Sequence, residues 1–232
     1  MKALVYAGPG KREVRDVEKP RILNDGGAIV RLTTTTICGT DLHILGGDLP
    51  VRKEGTILGH EGIGIVEEVG SGVKHFKVGD KVIISCVTAC GVCDYCKVAL
   101  YAHCKDGGWI LGHLIDGTQA EYVHIPHADN SLYHIPKGMS DEAAVMISDI
   151  LPTGFEIGVL NGQVSPGDTI AIIGAGPIGM SVLFTSQFYS PATIIMVDLD
   201  ENRLAESKRF GATHTINSKD ADAAIKEILE IT

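Results

Sequence analysis

Cys90, Cys93, Cys96 and Cys104 stand in the pattern C-x2-C-x2-C-x7-C within a glycine-bearing loop. Zinc takes four ligands at tetrahedral corners, and two-residue gaps let a tight loop fold its thiolates around one ion. Four protein ligands close the coordination shell, so the role expected of that ion is structural. An iron–sulfur cluster is the rival occupant of a four-thiolate set. Cys86 falls outside the spacing, in an apolar run, and reads as a small buried core residue.

Two further stretches carry metal-capable side chains beside glycine: ICGTDLH at 37–43 and GHEGIG at 59–64. On the residues alone, Cys38 reads as a buried thiol. His60 stays open between a metal ligand and a hydrogen-bonded core histidine. A third stretch, IAIIGAGPIG at 170–179, sets Gly174, Gly176 and Gly179 in G-x-G-x-x-G, with Pro177 and Ile178 inside the motif. It closes an apolar strand, opens a helix and is followed by a second strand ending in Asp198, the context in which the motif is informative. The first glycine allows the turn, the second lets the backbone approach a pyrophosphate, and the third lets helix pack on strand. The phosphates are expected at the helix N-terminus, where free N–H groups favour anions. Asp198 suits a ribose 2′-hydroxyl and repels a 2′-phosphate, favouring NAD over NADP. Arg203, five residues on, could stack near the adenine or relax that preference.

The elements that must hold these residues change rhythm along the chain. Up to about residue 150, short strands alternate with glycine turns, as in 28–37, 62–70 and 80–85, which points to a barrel-like or sandwich-like β domain. From Glu142 the pattern becomes helix at 142–160, strand at 169–173 and helix at 177–189. Strand at 193–197, helix at 201–210, strand at 213–216 and a last helix from Asp220 complete it. That alternation signals parallel βαβ units. The boundary is expected at 154/155.

Composition agrees with a soluble globular chain: of 232 residues, 44% are hydrophobic and 21% charged. A net charge of −9 argues against a nucleic-acid binder, which usually shows a basic face. The opening MKALVYAGPGK alternates and then turns, so it reads as a first strand rather than a signal peptide, and no apolar run suits a membrane span. A cytoplasmic location is expected, where clustered cysteines hold metal more often than they form disulfides.

GHEGIGIVEEVGSGV at 59–73, with Gly64, Gly70 and Val73 in register, resembles the zinc signature of the zinc-containing medium-chain alcohol dehydrogenase family. CGTDLH is similar to that family's first ligand segment, and the four cysteines to its structural-zinc lobe. The resemblance runs along the whole chain. It implies an α/β plus β fold: a GroES-like β domain at 1–154, with the lobe at about 88–106, then the first half of a Rossmann NAD-binding domain at 155–232. It also implies Cys38 and His60 as catalytic zinc ligands, Glu61 as either a support behind the ligands or an exchangeable fourth ligand, and Asp41 as a support behind them. Thr40 and His43 match the hydroxyl and imidazole that pass the alcohol proton to solvent.

One departure concerns the third ligand. The familiar set is two cysteines and one histidine, and no spare cysteine lies near residue 150 in the sequence. AVMISDILPTGF at 144–155 has Asp149 there instead, similar to an aspartate-bearing branch of bacterial secondary-alcohol dehydrogenases. A carboxylate is an acceptable zinc ligand; without the resemblance, Asp149 reads as a helix-start or surface carboxylate. Trp109 stands where that branch keeps a pocket-lining tryptophan, and by itself is equally a core aromatic.

The resemblance thus implies an NAD- and zinc-dependent alcohol dehydrogenase with two zinc ions per chain, acting on a small-molecule alcohol, secondary or small primary, with ketone or aldehyde reduction in reverse. Polyol, threonine and formaldehyde dehydrogenases of the same family are alternatives, as is a non-catalytic zinc-binding protein. A homo-oligomer, dimer or tetramer, is expected, with neither nucleic acid nor membrane as partner. A complete dinucleotide sheet has six strands, and this chain supplies three. A C-terminally shortened member is therefore expected, with the strand at 169–173 left open on one edge.

Overall fold

The computed structural model describes residues 1–51 and 53–232. The chain divides into two compact units, Met1–Asp149 and Ile150–Thr232. The division thus falls just before the expected boundary at 154/155.

In the first unit, β1 (Lys2–Tyr6) and β2 (Arg12–Asp16) form an antiparallel hairpin. The chain continues through β3 (Ala28–Thr35), α1 (Gly39–Gly46), β4 (Gly62–Val69) and β5 (Lys81–Ile84). After the cysteine lobe come β6 (Tyr122–Ile125), α2 (Ala128–Ser131), β7 (Leu132–His134) and α3 (Asp141–Val145). The sheet is antiparallel, in the order β6-β3-β4-β5-β7. Strand side chains alternate between faces, so Ala28 and Val30, Val82 and Ile84, and Val123 and Ile125 share one buried core. Ile63 and Ile83 point to the opposite face, where Ala144 and Val145 of α3 cover them. Burial on both faces fixes the register of β4 and β5, and with it the residues just before β4 and just after β5.

The second unit begins with α4 (Ile150–Thr153) and a π-helical turn over Gly154–Leu160. There follow β8 (Thr169–Ile173), α5 (Pro177–Ser186), β9 (Thr193–Asp198), α6 (Glu201–Arg209), β10 (His214–Asn217) and α7 (Ala221–Ile231). These strands are parallel, in the order β10-β9-β8. Ile194 through Val197 of the central β9 are all buried, as a strand covered on both faces requires. Asp200 and Asp220 start α6 and α7 by accepting N–H groups from their first turns. Ile173, at the end of β8, is 74% exposed, and the outer edge of β8 has no strand partner among the described residues.

The helix expected over 142–160 is broken into three pieces, α3, α4 and the π-helical turn, with Met146–Asp149 outside them. Pro152 explains the break. It has no N–H to offer the Ser148 carbonyl, and the Cys86 N–H takes that carbonyl instead, at 3.1 Å. No helix among the described residues is long and apolar enough to cross a membrane.

Candidate active site

Four side chains from three separate segments converge in the first unit. Cys38 precedes α1, and its N–H is held by the Asp41 carboxylate at 2.9 Å. His60 and Glu61 precede β4, where the Glu61 carbonyl accepts the Thr118 hydroxyl at 2.8 Å and the Thr35 hydroxyl at 2.9 Å. Gly59 reaches this position with φ +93°, and a Cβ there would run into Gln119 and Thr118. Asp149 arrives from the break after α3. One ligand atom from each of Cys38, His60, Glu61 and Asp149 lies within 4.8 Å of all the others.

The electrostatics are those of a site built for a cation. His60 Nε2 lies 3.1 Å from Asp149 Oδ2 and 3.7 Å from Glu61 Oε1, and its Nδ1 lies 3.8 Å from Asp41 Oδ1. Burial disfavours a charged His60. Hydrogen bonding to Asp149 and Cys38 and the charges of Asp41 and Asp149 outweigh burial and raise its pKa to about 10. Burial, aided by the Asp149 charge, raises the Glu61 carboxyl above its ordinary range against the lowering effect of Thr36 and His60. Thr36 acts there from beyond hydrogen-bond geometry: its hydroxyl, both Glu61 oxygens, His60 Nδ1 and Asp41 Oδ1 are buried without a hydrogen-bond partner. Buried polar atoms normally find partners, and an ion shared by a thiolate, an imidazole and carboxylates would supply the missing ones. This donor set fits zinc.

Around the cluster, Asp41 is 2% exposed and accepts the Gln119 amide at 2.9 Å, while Gln119 also reaches the Thr36 carbonyl. Trp109 stands edge-on to His60, with ring centroids 6.4 Å apart, and stacks on His113 at 4.1 Å. Burial lowers the His113 pKa below its ordinary value. Thr40 lies in the first turn of α1. His43 is not joined to the cluster; it is exposed, and its Nδ1 meets Asp48 at 2.9 Å. Gln119, His113 and Cys86 were missed by the reading of the sequence. Cys86 is partly exposed rather than buried in the core, and its Sγ lies 3.4 Å from Asp149 Oδ1. The only sequence signal for these was proximity to glycines or to the cysteine lobe. A separate open cavity of about 890 Å³, lined by Val17, Tyr122 and His127 among others, touches none of the four candidate ligands.

The second donor set is Cys90, Cys93, Cys96 and Cys104, whose sulfurs lie within 4.8 Å of one another. The Thr88 and Gly108 backbones pair across the base of this lobe. Backbone hydrogen bonding from Lys105 and then Cys96 pulls the Cys93 thiol down to about 6, whereas burial pushes Cys96 up to about 12. Four sulfurs at this spacing fit a fully coordinated zinc.

In the second unit, a cavity of about 720 Å³ is lined by Gly174, Gly176, Pro177, Ile178, Gly179, Asp198 and Arg203. Gly174 turns with φ +96°. Nothing but the Arg203 guanidinium approaches a Cβ position on Gly176, while one on Gly179 would strike the Gly174 carbonyl. The open face at Gly176 leads to the N-terminus of α5, where unpaired N–H groups favour anions. Asp198 accepts N–H groups from Ala175 at 2.6 Å and Asp200 at 2.9 Å, and these bonds, the Asp200 one first, hold its pKa below the usual range.

Candidate donor sets for two ions and a glycine-rich turn at a helix N-terminus occur together in one chain. Residues 24–137 match the alcohol dehydrogenase GroES-like domain. The chain is 38% identical to an alcohol dehydrogenase of Cupriavidus necator, over 100% of its own length and 67% of the relative's. It is 37% identical to a glutathione-independent formaldehyde dehydrogenase of Pseudomonas aeruginosa, over 94% of its length and 59% of that protein's. Among solved structures, a zinc-dependent alcohol dehydrogenase of Streptococcus pneumoniae superposes with a TM-score of 0.95 at 62% identity, covering 100% of this chain and 65% of that one. The chain belongs to the zinc-containing medium-chain alcohol dehydrogenase family and spans about two thirds or less of the length of these relatives. Its fold is a GroES-like β domain followed by Rossmann-type parallel α/β structure.

Proposed function

We propose that the protein carrying this chain is an alcohol dehydrogenase that moves hydride between a secondary or small primary alcohol and NAD, and reduces the ketone or aldehyde in reverse. The convergence of Cys38, His60, Glu61 and Asp149, with buried atoms still lacking partners, carries this reading. Cys38, His60 and Asp149 would hold a catalytic zinc, with Glu61 an exchangeable fourth ligand. When bound, zinc supplies the Lewis acidity that makes an alcohol oxygen easier to deprotonate, and NAD supplies the hydride acceptor. Asp41 orients His60 from behind, as ligand histidines commonly require of carboxylates. Thr40 and His43 carry the alcohol proton toward solvent, with Asp48 holding the His43 ring in one orientation. Trp109 walls the substrate pocket. Cys90, Cys93, Cys96 and Cys104 hold a second, structural zinc.

Gly174, Gly176, Pro177, Ile178 and Gly179 form the turn that admits the pyrophosphate. Asp198 accepts the ribose 2′-hydroxyl, and Arg203 packs over the turn toward the adenosine. The enzyme works as a homo-oligomer in the cytoplasm, without nucleic acid or membrane as partner.

A second reading, with formaldehyde as the substrate, is favoured by the similarity to the Pseudomonas aeruginosa enzyme. NAD reduction by the full-length protein across secondary alcohols, primary alcohols and formaldehyde decides between them. Two zinc ions per chain, one lost readily to a chelator, are expected. A single tightly held zinc and no turnover would instead make the protein a non-catalytic zinc binder.

A further inference from the structure

We propose that Cys86 is a positioning residue for Asp149, its thiol fixing the plane of the carboxylate so that one oxygen is turned toward His60; this rests on the reading of Asp149 as a ligand. Cys86 follows β5 directly, and the neighbouring Ser85 N–H is fixed to the Ser131 carbonyl at 3.0 Å, so the residue is anchored to the sheet. From there it grips two consecutive residues. Its N–H takes the Ser148 carbonyl at 3.1 Å, the acceptor left over because Pro152 has no N–H. Its Sγ lies 3.4 Å from Asp149 Oδ1, while Oδ2 of the same carboxylate lies 3.1 Å from His60 Nε2.

An ionised carboxylate only accepts hydrogen bonds, whereas a thiol can donate one, so the S–H points to Oδ1. Partial rotation about the Cβ–Cγ bond would turn the carboxylate plane away from the cluster. The S–H bond on Oδ1 opposes that rotation and leaves Oδ2 toward the ligand cluster. Cys86 is not one of the four residues whose ligand atoms converge, and its partial exposure sets it apart from a core residue. Its main-chain and side-chain bonds act on the one candidate ligand that arrives from a break in a helix.

The test uses Cys86→Ala, Cys86→Val and Cys86→Ser in the full-length protein. Ala and Val remove the donor, Val while keeping the bulk; Ser keeps a donor. Readouts are zinc content, the rate at which a chelator strips the labile zinc, and the d–d absorption of cobalt exchanged into that site. Partners that orient metal ligands typically alter affinity 10–100-fold, so Ala and Val are expected to lose the labile zinc about tenfold faster or more and to shift the cobalt bands. Ser is expected to return toward wild type in both, and all three should retain the cysteine-lobe zinc. Should Ala fail to fold, Val against Ser carries the comparison. Release rates and spectra equal to wild type in the donor-free variants would overturn the proposal, as would a Ser variant as defective as they are. A wild-type protein holding only the lobe zinc would remove Asp149 as a ligand and the positioning role with it.

Discussion

His60 and Asp149 stand 89 positions apart in the chain, yet Nε2 of one lies 3.1 Å from Oδ2 of the other. Their side chains are 1% and 15% exposed. Without an ion this contact is a buried ion pair; with one, both atoms become ligands, and the proton on His60 must leave.

The pH dependence of the site follows from that exchange. In the metal-free protein, partners that outweigh burial raise the His60 pKa from 6.5 to about 10. A raised folded-state pKa contributes stability that is complete below the unfolded value and is lost as pH climbs through the folded one. The metal-free protein is therefore expected to lose this contribution between about pH 6.5 and pH 10. Zinc binding has the opposite slope, because the metal takes only the neutral imidazole. Below pH 10, His60 alone should make binding at this site about tenfold tighter per pH unit, with one proton released. Titration calorimetry in buffers of different ionisation heat checks this. Affinity independent of pH between 6 and 9 would rule it out.

Substitution at Asp149 separates charge from ligand chemistry. Asp149→Asn keeps the shape and removes the anionic oxygen. It is expected to retain only the cysteine-lobe zinc and to lose at least about 100-fold in kcat/KM, more than the 10–100-fold that a partner of a ligand costs. Asp149→Cys supplies a thiolate and regenerates a two-cysteine, one-histidine set. That variant is expected to hold two zinc ions again. Metal analysis beside steady-state kinetics distinguishes the outcomes, and an Asn variant with two firmly held zincs would sink the assignment.

What the sequence makes readable follows the range of the interactions. The cysteine lobe and the glycine turn are local, so spacing alone exposes them; Cys90 to Cys104 and Gly174 to Gly179 each lie within a few turns of chain. Strand and helix limits in the second unit are nearly all legible, because Asp200 and Asp220 mark helix starts and the apolar run of β9 marks a buried strand. The candidate metal set around His60 is different in kind. Cys38, His60 and Asp149 are far apart in the chain and meet only once it folds, and nothing near Asp149 announces a ligand, so resemblance rather than spacing brings it forward. The helix break before Asp149 is equally hidden. DEAAVMISDIL has helical propensity throughout, and the deciding event is Cys86 taking a carbonyl that Pro152 cannot. Cys86 and Gln119 act through contacts that topology creates, and no local pattern encodes them.

On the proposed reading, the charge of Asp198 would set the cofactor preference. Its two oxygens are held by the N–H groups of Asp200 and Ala175, which hold its pKa below the ordinary carboxylate value. A 2′-phosphate brought against that carboxylate meets a like charge only partly offset by Arg203, which lines the same cavity. Asp198→Ser is therefore expected to lower the NAD-to-NADP ratio of kcat/KM about tenfold or more, given a repulsion of about 1–4 kcal/mol at contact distance. The ratio is measured on the full-length enzyme with one alcohol and both cofactors. An unchanged ratio would mean that some other group reads the ribose.

Two glycines with nearly equal backbone angles should respond differently to the same methyl group. Gly59 has φ +93° and Gly174 has φ +96°, so alanine at either position carries the left-handed penalty of about 1–2 kcal/mol. At Gly174 nothing lies within 4 Å of the added carbon, and the penalty stands alone. At Gly59 the same carbon would meet Gln119 and Thr118, the residues that hold Asp41 and the Glu61 carbonyl in place. Relief of that collision has to move the segment carrying His60 or the strand entry carrying Gln119. Gly59→Ala is thus expected to cost about 1–3 kcal/mol beyond the backbone term and to weaken the labile zinc site. Gly174→Ala should leave both zincs in place and affect cofactor binding alone. Urea denaturation paired with zinc analysis of the two variants reads both effects. Equal destabilisation with full zinc retention in each would mean that the contact between Gly59 and Gln119 does not support His60.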